Sequence, residues 1–184
     1  MSLFVAVRPS AAAIEDLQHT LEGIRRQGVA QDLRWQPPGQ WHVTLAFLGD
    51  DEADVVAEVC ERLSTLRTEA PIVGVRIAGA GCFGRQVLWM DLQDETAIAG
   101  LGAVAHGIPP LLRGSGARLD RRPWRPHLTI ARARNTDARP VVPLLSGYDG
   151  PPWTVDELLV IRSTGGPHPD HHVAMRIPLG GNST

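Results

Sequence analysis

Two short segments of the sequence repeat one pattern of histidine, threonine and aliphatic residue. HVTL at 42–45 and HLTI at 127–130 both read H-x-T-[LI]. A shuffled chain of this composition would contain roughly 0.06 such matches. Imidazole gains and loses a proton near neutral pH, and a hydroxyl donates hydrogen bonds to anions. The repeated pattern therefore indicates acid–base chemistry on an anionic substrate, although a structural duplication with hydrogen-bonded core histidines would also produce it.

The spacing inside each segment places both polar residues on one face of a strand. Residues i and i+2 of an extended chain point the same way, so His42 pairs with Thr44 and His127 with Thr129. The apolar residues between and after them, Phe47 included, are expected to point to the core. If two related lobes face each other, both pairs meet in one cleft. One histidine can then take a proton from water while the other gives one to the leaving oxygen of a phosphodiester.

The elements that must position these pairs alternate between strand and helix patterns. Seven apolar or alternating runs predict strands at 3–7, 41–49, 71–79, 85–92, 125–134, 155–163 and 172–179. Three runs with helical spacing predict helices from Ser10 to about Gln27, from Asp50 or Asp51 to about Arg67, and from Asp94 or Thr96 to a stop before Pro109-Pro110. Hairpin strands mixed with helices predict an α+β fold rather than a doubly wound parallel sheet.

Charge and composition exclude several other chemistries. All 18 basic residues are arginine, which excludes Schiff-base lysines and phosphate-loop lysines, although codon bias would also explain this absence. Eight arginines lie within 113–139 against only Asp120 and Asp137, so this segment could attract an anion. The 184 residues suit one domain, 1–184. Cys60 and Cys82 form no motif and no apolar run is long enough to span a bilayer, so we predict a cytoplasmic protein.

Three further features have a structural interpretation that we prefer. GAGCFG at 79–84 matches G-x-G-x-x-G, but a strand pattern follows it where a dinucleotide site needs a helix, so a hairpin loop is favoured. The residues His168, Asp170, His171 and His172 lack the spacing of standard zinc sites and indicate an exposed loop before the last strand. Ordinary surface or packing roles are predicted for the remaining histidines and for three tryptophans: His19, His106, Trp35, Trp124 and Trp153.

At the two H-x-T segments the sequence resembles the 2H phosphoesterases, and within them the RNA 2′,3′-cyclic phosphodiesterases, also called 2′-5′ RNA ligases. The similarity runs nearly end to end. It is carried by LFVAVRP, WHVTLAFLG, CFGRQVLW, RRPWRPHLTIAR and LLVIRS. The resemblance implies a bilobal fold with two pseudo-twofold lobes of antiparallel sheet, helices outside and a central cleft. The segment GGPHPDHHV departs from the Gly and Tyr that the family often has there, so base or chain-length preference can differ at this segment.

The resemblance also implies an activity and roles for individual residues. It implies metal-independent opening of a 2′,3′-cyclic phosphate to a 2′-phosphate, with His42 as proton donor and His127 as proton acceptor. Thr44, Thr129 and Arg132 would bind the phosphate. Strict alternation puts Arg132 on the face opposite His127, so its role requires a bulge or a twist in the strand.

We therefore expect a cofactor-free, metal-free hydrolase of RNA 2′,3′-cyclic phosphate ends or cyclic nucleotides, acting as a monomer away from membranes. Ligation would be the reverse reaction of the same site. Two alternatives remain open at this point. The first is a hydrolase of a small cyclic phosphate, such as an ADP-ribose cyclic phosphate, and the second is a protein that binds RNA ends without turnover.

Overall fold

The computed structural model describes residues 2–29, 31–49, 52–66, 70–120, 122–164 and 169–180. Its strands are β1 (Ser2–Val7), β2 (Leu33–Trp35), β3 (Val43–Gly49), β4 (Ile72–Phe83), β5 (Val87–Gln93), β6 (Leu128–Ala133), β7 (Trp153–Val155), β8 (Glu157–Ser163) and β9 (His171–Pro178). Its helices are α1 (Ala11–Arg26), α2 (Ala53–Leu63), α3 (Glu95–Leu111) and α4 (Val142–Leu145). The seven strands and three helices predicted from the sequence are all present, which gives the expected α+β fold.

All strand pairings are antiparallel and join the strands into one sheet. The order is β7-β4-β5-β6-β3-β1-β8-β9, with β2 added to β6. β3 and β6 meet at the centre through a single pair, Val43 and Leu128. The centre of the sheet therefore joins two lobes, β6-β5-β4-β7 and β3-β1-β8-β9, and it brings both H-x-T segments together. The assignment of residues 1–184 to one domain stays a prediction.

The main core lies on one face of the sheet, under the helices. Ser10 caps α1 through its side-chain oxygen, which accepts a hydrogen bond from the Ala13 amide at 3.2 Å. Apolar residues one turn apart on this helix are buried, including Leu17 and Leu21. α2 ends at Leu63, earlier than expected, and Leu66 packs against the core beyond its end. The expected starts at Asp50 and Asp51 and the expected end near Arg67 lie outside the described residues.

The predicted end of the third helix is wrong. α3 continues through Pro109 and Pro110 to Leu111. Ile108 and Leu112 on either side of the prolines are fully buried, and the Leu112 amide still donates to the Ile108 carbonyl at 3.1 Å. Tertiary burial of this last turn therefore outweighs the local cost of proline.

Residues 79–83 of the glycine-rich segment are strand rather than hairpin loop, and only its last residue, Gly84, lies in the turn. β4 runs through Phe83, and the turn to β5 follows it. Gly81 lies directly beside Trp89 of β5, and a Cβ atom at Gly81 would lie 2.2 Å from the Trp89 ring. The glycine thus makes room for an indole, and the segment leads into a strand rather than into the helix that a dinucleotide site needs.

The three tryptophans with predicted packing roles all lie in or against the main core. Trp153 is buried, while Trp35 and Trp124 pack half-buried against the core. Trp124 also joins the two lobes, because its indole N–H donates to the Thr44 carbonyl at 2.9 Å. Both cysteines are free thiols. In the described part of the chain no helix has the length and apolar character needed to cross a membrane.

Candidate active site

The central pair of β3 and β6 brings both H-x-T segments together. Val43 lies opposite Leu128, and antiparallel pairing then places His42 beside Thr129 and Thr44 beside His127. All four polar side chains border one cleft of about 330 Å3. The structure therefore gathers the four residues that the sequence grouped as two separate pairs.

Both strands contain the same irregularity three residues after the histidine. In β3 the pairing with β1 skips Leu45, and in β6 the pairing with β5 skips Ile130. A bulge of this kind shifts the side-chain alternation by one residue. The fifth residue after each histidine therefore faces the cleft. These residues are Phe47 and Arg132, which both line it.

The bulges overturn the prediction that Phe47 points into the core. They also turn Arg132 to the face of His127, as its predicted role in phosphate binding requires. Phe47 is 44% exposed on the cleft side, so its predicted place in the core is wrong, and Leu48 is buried instead. Arg132 reaches the same face as His127 and Thr129. Strict alternation cannot give either result, because the bulge depends on the pairing with the neighbouring strand.

Each histidine is held in one tautomer by a backbone carbonyl two residues before it. His42 Nδ1 lies 2.7 Å from the Gln40 carbonyl oxygen, and His127 Nδ1 lies 2.8 Å from that of Arg125. A carbonyl oxygen only accepts, so Nδ1 carries the hydrogen and donates. The Nε2 atom of each neutral ring is left with a lone pair, and the two histidines are chemically equivalent in this respect.

Aromatic rings surround His42 on two sides. Its ring stacks on Phe4 with the centroids 4.8 Å apart, and His171 packs edge-on at 5.2 Å. Burial lowers the pKa of His42 to about 4, the Gln40 carbonyl acts against this, and the nearby His171 and Arg8 lower it further. Burial therefore keeps His42 in its neutral form at neutral pH.

His127 lies among a second set of aromatic residues. Phe83 packs edge-on at 4.9 Å and Trp89 lies at 6.3 Å, and both rings also contact the guanidinium of Arg125. Burial lowers the pKa of His127, Arg125 and Arg132 lower it further, and Asp91 raises it. The two sides of the site thus differ in their charged neighbours although their backbones match.

His171 is the cleft residue that the sequence placed wrongly. It begins β9 and contacts both Phe4 and His42, whereas an exposed loop was expected. Adjacent His172 is exposed, so the two rings do point to opposite faces. His168 lies outside the described residues. Among those described, no group of three His, Cys, Asp or Glu side chains is arranged to hold a metal ion.

The arginine-rich segment does not form one patch. Arg132 lines the cleft. Arg122 instead forms an ion pair with Asp120, and Arg139 forms one with Asp137. The second cationic side chain in the cleft is Arg34 of β2, which pairs in register with Arg132. Its place in the cleft does not follow from the sequence pattern, because β2 has only three residues, too few for a periodic signal.

The burial of His42 predicts a loss of stability in acid. An unfolded chain takes up a proton on this histidine below pH 6.5, but the folded protein does so only near pH 4. The free energy of unfolding should therefore fall by about 3 kcal/mol between these pH values because of His42 alone. Urea denaturation at pH 7 and pH 4 would measure the fall. His42→Gln, which keeps a donor for Gln40 but does not titrate, should lose less stability, and equal losses in both proteins would contradict the prediction.

Comparison with known proteins relates this geometry to a family. Residues 6–167 match the model of the 2′-5′ RNA ligase superfamily. An RNA 2′,3′-cyclic phosphodiesterase of Geobacillus stearothermophilus is 32% identical over 102 residues, which are 53% of this chain and 32% of that protein. The same enzyme of Thermus thermophilus is 32% identical over 136 residues, 69% of this chain and 65% of that protein. The matches thus span a third to two thirds of these relatives.

Solved structures share the fold over almost the whole chain. TT0787 of Thermus thermophilus superposes with a TM-score of 0.73 at 25% identity, covering 99% of this chain and 100% of that one. E. coli LigT complexed with 3′-AMP gives a TM-score of 0.74 at 19% identity and covers 97% of both chains. The sequence match over residues 6–167 and the curled antiparallel sheet show that the chain belongs to the 2′-5′ RNA ligase superfamily.

Proposed function

We propose that this protein hydrolyses RNA 2′,3′-cyclic phosphate ends to 2′-phosphates without a metal ion. The observation that carries the proposal is the convergence of two histidines with matching tautomers, each beside a threonine of the other strand, in one cleft. The relatives named RNA 2′,3′-cyclic phosphodiesterase support it.

The reaction needs one acid and one base on opposite sides of the phosphorus. A neutral imidazole takes a proton from water as its oxygen attacks phosphorus, and a protonated imidazole gives a proton to the 3′-oxygen as the P–O bond breaks. Thr44 and Thr129 hydroxyls donate to the nonbridging oxygens. Arg132 offsets the negative charge that develops there. Water is added overall, and the two histidines exchange one proton with solvent to begin the next turnover.

A direct assay tests the proposal. The protein should hydrolyse an oligonucleotide ending in a 2′,3′-cyclic phosphate in the presence of EDTA, with a 2′-phosphate as the product identified by chromatography. Loss of all activity in EDTA with recovery on adding a divalent metal would contradict the metal-independent mechanism. Binding without turnover would favour the protein that only binds RNA ends, and a 3′-phosphate product would contradict the direction of opening.

The size of the cleft favours a second candidate substrate, a small cyclic nucleotide. A volume of about 330 Å3 lies at the lower end of small-molecule sites and suits roughly one nucleotide. LigT complexed with 3′-AMP shows a mononucleotide on the same fold. Competition between a 2′,3′-cyclic mononucleotide and the oligonucleotide would separate the two. The 2′-5′ ligation expected from the resemblance would not reverse this hydrolysis: the 5′-hydroxyl of a second RNA would replace water in attacking phosphorus as the bond to the 3′-oxygen breaks. Incubating 5′-hydroxyl RNA with RNA that ends in a cyclic phosphate would reveal it.

Arg132 provides a test of phosphate binding. Replacing it with glutamine should lower kcat/KM by about 10- to 100-fold, because a hydrogen bond to a charged group contributes about 1.5–3 kcal/mol. Arg122→Gln is the matched control, since Arg122 is highly exposed and ion-paired with Asp120. It should keep nearly wild-type activity. Equal effects of the two substitutions would show that the arginines act only through their general charge.

A further inference from the structure

A second groove lies on the face of β2 opposite the cleft. Side chains alternate along a strand, so Leu33 and Trp35 face this groove while Arg34 between them faces the cleft. The groove has a volume of about 560 Å3, and its lining consists of Glu22, Arg25, Arg26, Gln31, Leu33 and Trp35. A single strand of three residues therefore separates the two sites.

The groove combines an aromatic ring with exposed positive charge. The guanidinium carbon of Arg25 lies 5.9 Å from the centroid of the half-buried Trp35 ring, and Arg26 is exposed next to it on the last turn of α1. Within the described part of the chain neither arginine forms an ion pair, whereas Arg122 and Arg139 are each paired with an aspartate. Cations are common at the end of any helix, so the tryptophan beside them is what indicates a ligand.

The positive charge of the groove continues into the cleft. Glu22 offsets part of it, and its carboxylate accepts a hydrogen bond from the Gln18 side chain at 3.1 Å. The two arginines of the lining still leave a net positive charge. On the other face of β2, Arg34 lies opposite Arg132 in the pairing with β6, and both line the cleft. A ligand with several phosphates can follow this line of arginines.

We propose that the groove binds single-stranded RNA on the 5′ side of the nucleotide whose cyclic phosphate occupies the cleft. A base stacks on Trp35, and Arg25 and Arg26 contact the neighbouring phosphates. The inference rests on the proposed hydrolysis, because that reaction fixes the 3′ end of the RNA at the two histidines. The cleft holds roughly one nucleotide, so a longer substrate must leave it. Among the described strands β2 pairs with β6 alone, so its other edge offers the path to the groove.

The combination of ring and charge favours single-stranded RNA over other polyanions. Every base has a π-face that can stack on an aromatic side chain, and inorganic phosphate has none. Arginine supplies a positive charge together with a planar group that can also lie against a base. The bases of a duplex are already stacked on one another, so a lone tryptophan gains little from them. Stacking of this kind is tolerant of sequence, and we expect the groove to add affinity for length rather than for a particular base.

Binding of RNA measured without turnover tests the groove. The probe is a fluorescein-labelled hexaribonucleotide with a 2′-phosphate end, followed by fluorescence anisotropy. Trp35→Leu keeps an apolar contact with the core but removes the ring, so it should raise the Kd by about 5- to 100-fold, the usual contribution of one stacked base. Trp35→Phe should restore most of the affinity. An unchanged Kd in Trp35→Leu, with folding confirmed by circular dichroism, would overturn the proposal.

The two arginines give an independent test that does not disturb the core. Combining Arg25→Gln with Arg26→Gln changes only exposed side chains. Each phosphate contact releases counterions, so the slope of log Kd against log salt concentration should fall by about 0.7 for each arginine removed. Arg113→Gln is the matched control, because Arg113 is exposed after α3 and lines neither site. Equal slopes in the double variant and in Arg113→Gln would refute the phosphate contacts.

Substrate length separates failure of this proposal from failure of the proposed function. Trp35→Leu and the double arginine variant should raise KM for an oligonucleotide with a cyclic end and leave kcat/KM for a 2′,3′-cyclic mononucleotide unchanged. A wild type that binds the hexaribonucleotide no more tightly than a mononucleotide would overturn the groove and leave the hydrolysis intact. A wild type that binds the hexaribonucleotide through Trp35 but hydrolyses neither substrate would support the groove and refute the proposed function.

Discussion

His42→Ala and His127→Ala should each hydrolyse a 2′,3′-cyclic phosphate about 10²–10⁴-fold more slowly than the wild type. This is the usual contribution of a positioned acid or base, and among the described residues the cleft has no second imidazole in either position to replace it. His171 contacts His42 but lies on β9, away from the central strand pair. Steady-state kcat on an oligonucleotide with a cyclic end, measured in EDTA, would give the loss.

Two controls make this result interpretable. His106→Ala removes an exposed histidine on α3 and should keep full activity. His42→Gln keeps a hydrogen-bond donor for Gln40 and leaves a smaller cavity beside Phe4 than alanine does, so it should fold more stably than His42→Ala while remaining as inactive. Full activity in either His42 or His127 variant, with folding confirmed by circular dichroism, would refute the two-histidine mechanism.

Gly81→Ala should both destabilise the fold and disturb the His127 side of the site. The new methyl group would lie 2.2 Å from Trp89, whose side chain is buried and cannot move away freely. Overpacking of this kind costs about 1–3 kcal/mol. Since Trp89 also contacts His127 and Arg125, its displacement should lower kcat as well. Urea denaturation and steady-state kinetics would measure the two effects.

Gly23→Ala is the matched control for this substitution. Gly23 lies inside α1, and a Cβ atom there would have no neighbour within 4 Å. Alanine at this position should stabilise the protein by about 0.5–1 kcal/mol, because it lowers the entropy lost on folding. Adding Trp89→Phe to Gly81→Ala should recover part of the lost stability by freeing space. Equal stability changes in Gly81→Ala and Gly23→Ala would contradict the close packing of Gly81 against Trp89.

Local sequence patterns were sufficient for most of the fold. Seven strands and three helices follow from hydrophobic periodicity, and the Ser10 cap follows from residue type. β2 and β7 were missed because three residues do not define a period. The end of α3 was placed too early because proline disfavours helix locally, whereas the buried Ile108 and Leu112 stabilise this turn through distant contacts.

For the candidate site, the sequence identified the four residues of the H-x-T pairs. It did not identify Arg34, Phe47 or His171 as cleft residues. Arg34 reaches the cleft only because β2 pairs with β6. Phe47 turns outward at a bulge, and His171 is brought to His42 by the pairing of β9 with β8 and of β8 with β1. Each of these placements depends on which strands are neighbours.

The sequence by itself determined which residue types stand in the candidate site and the strand face that each pair shares. That information is local, because the side-chain direction along a strand repeats every two residues. Only the tertiary structure decided that Val43 pairs with Leu128, that both strands bulge at the same place, and that the charges of Arg8 and Asp91 act on different histidines. Register between distant strands is set by packing of the whole sheet. His42 and His127 share one local motif, so the difference between their charged neighbours arises only in the folded protein.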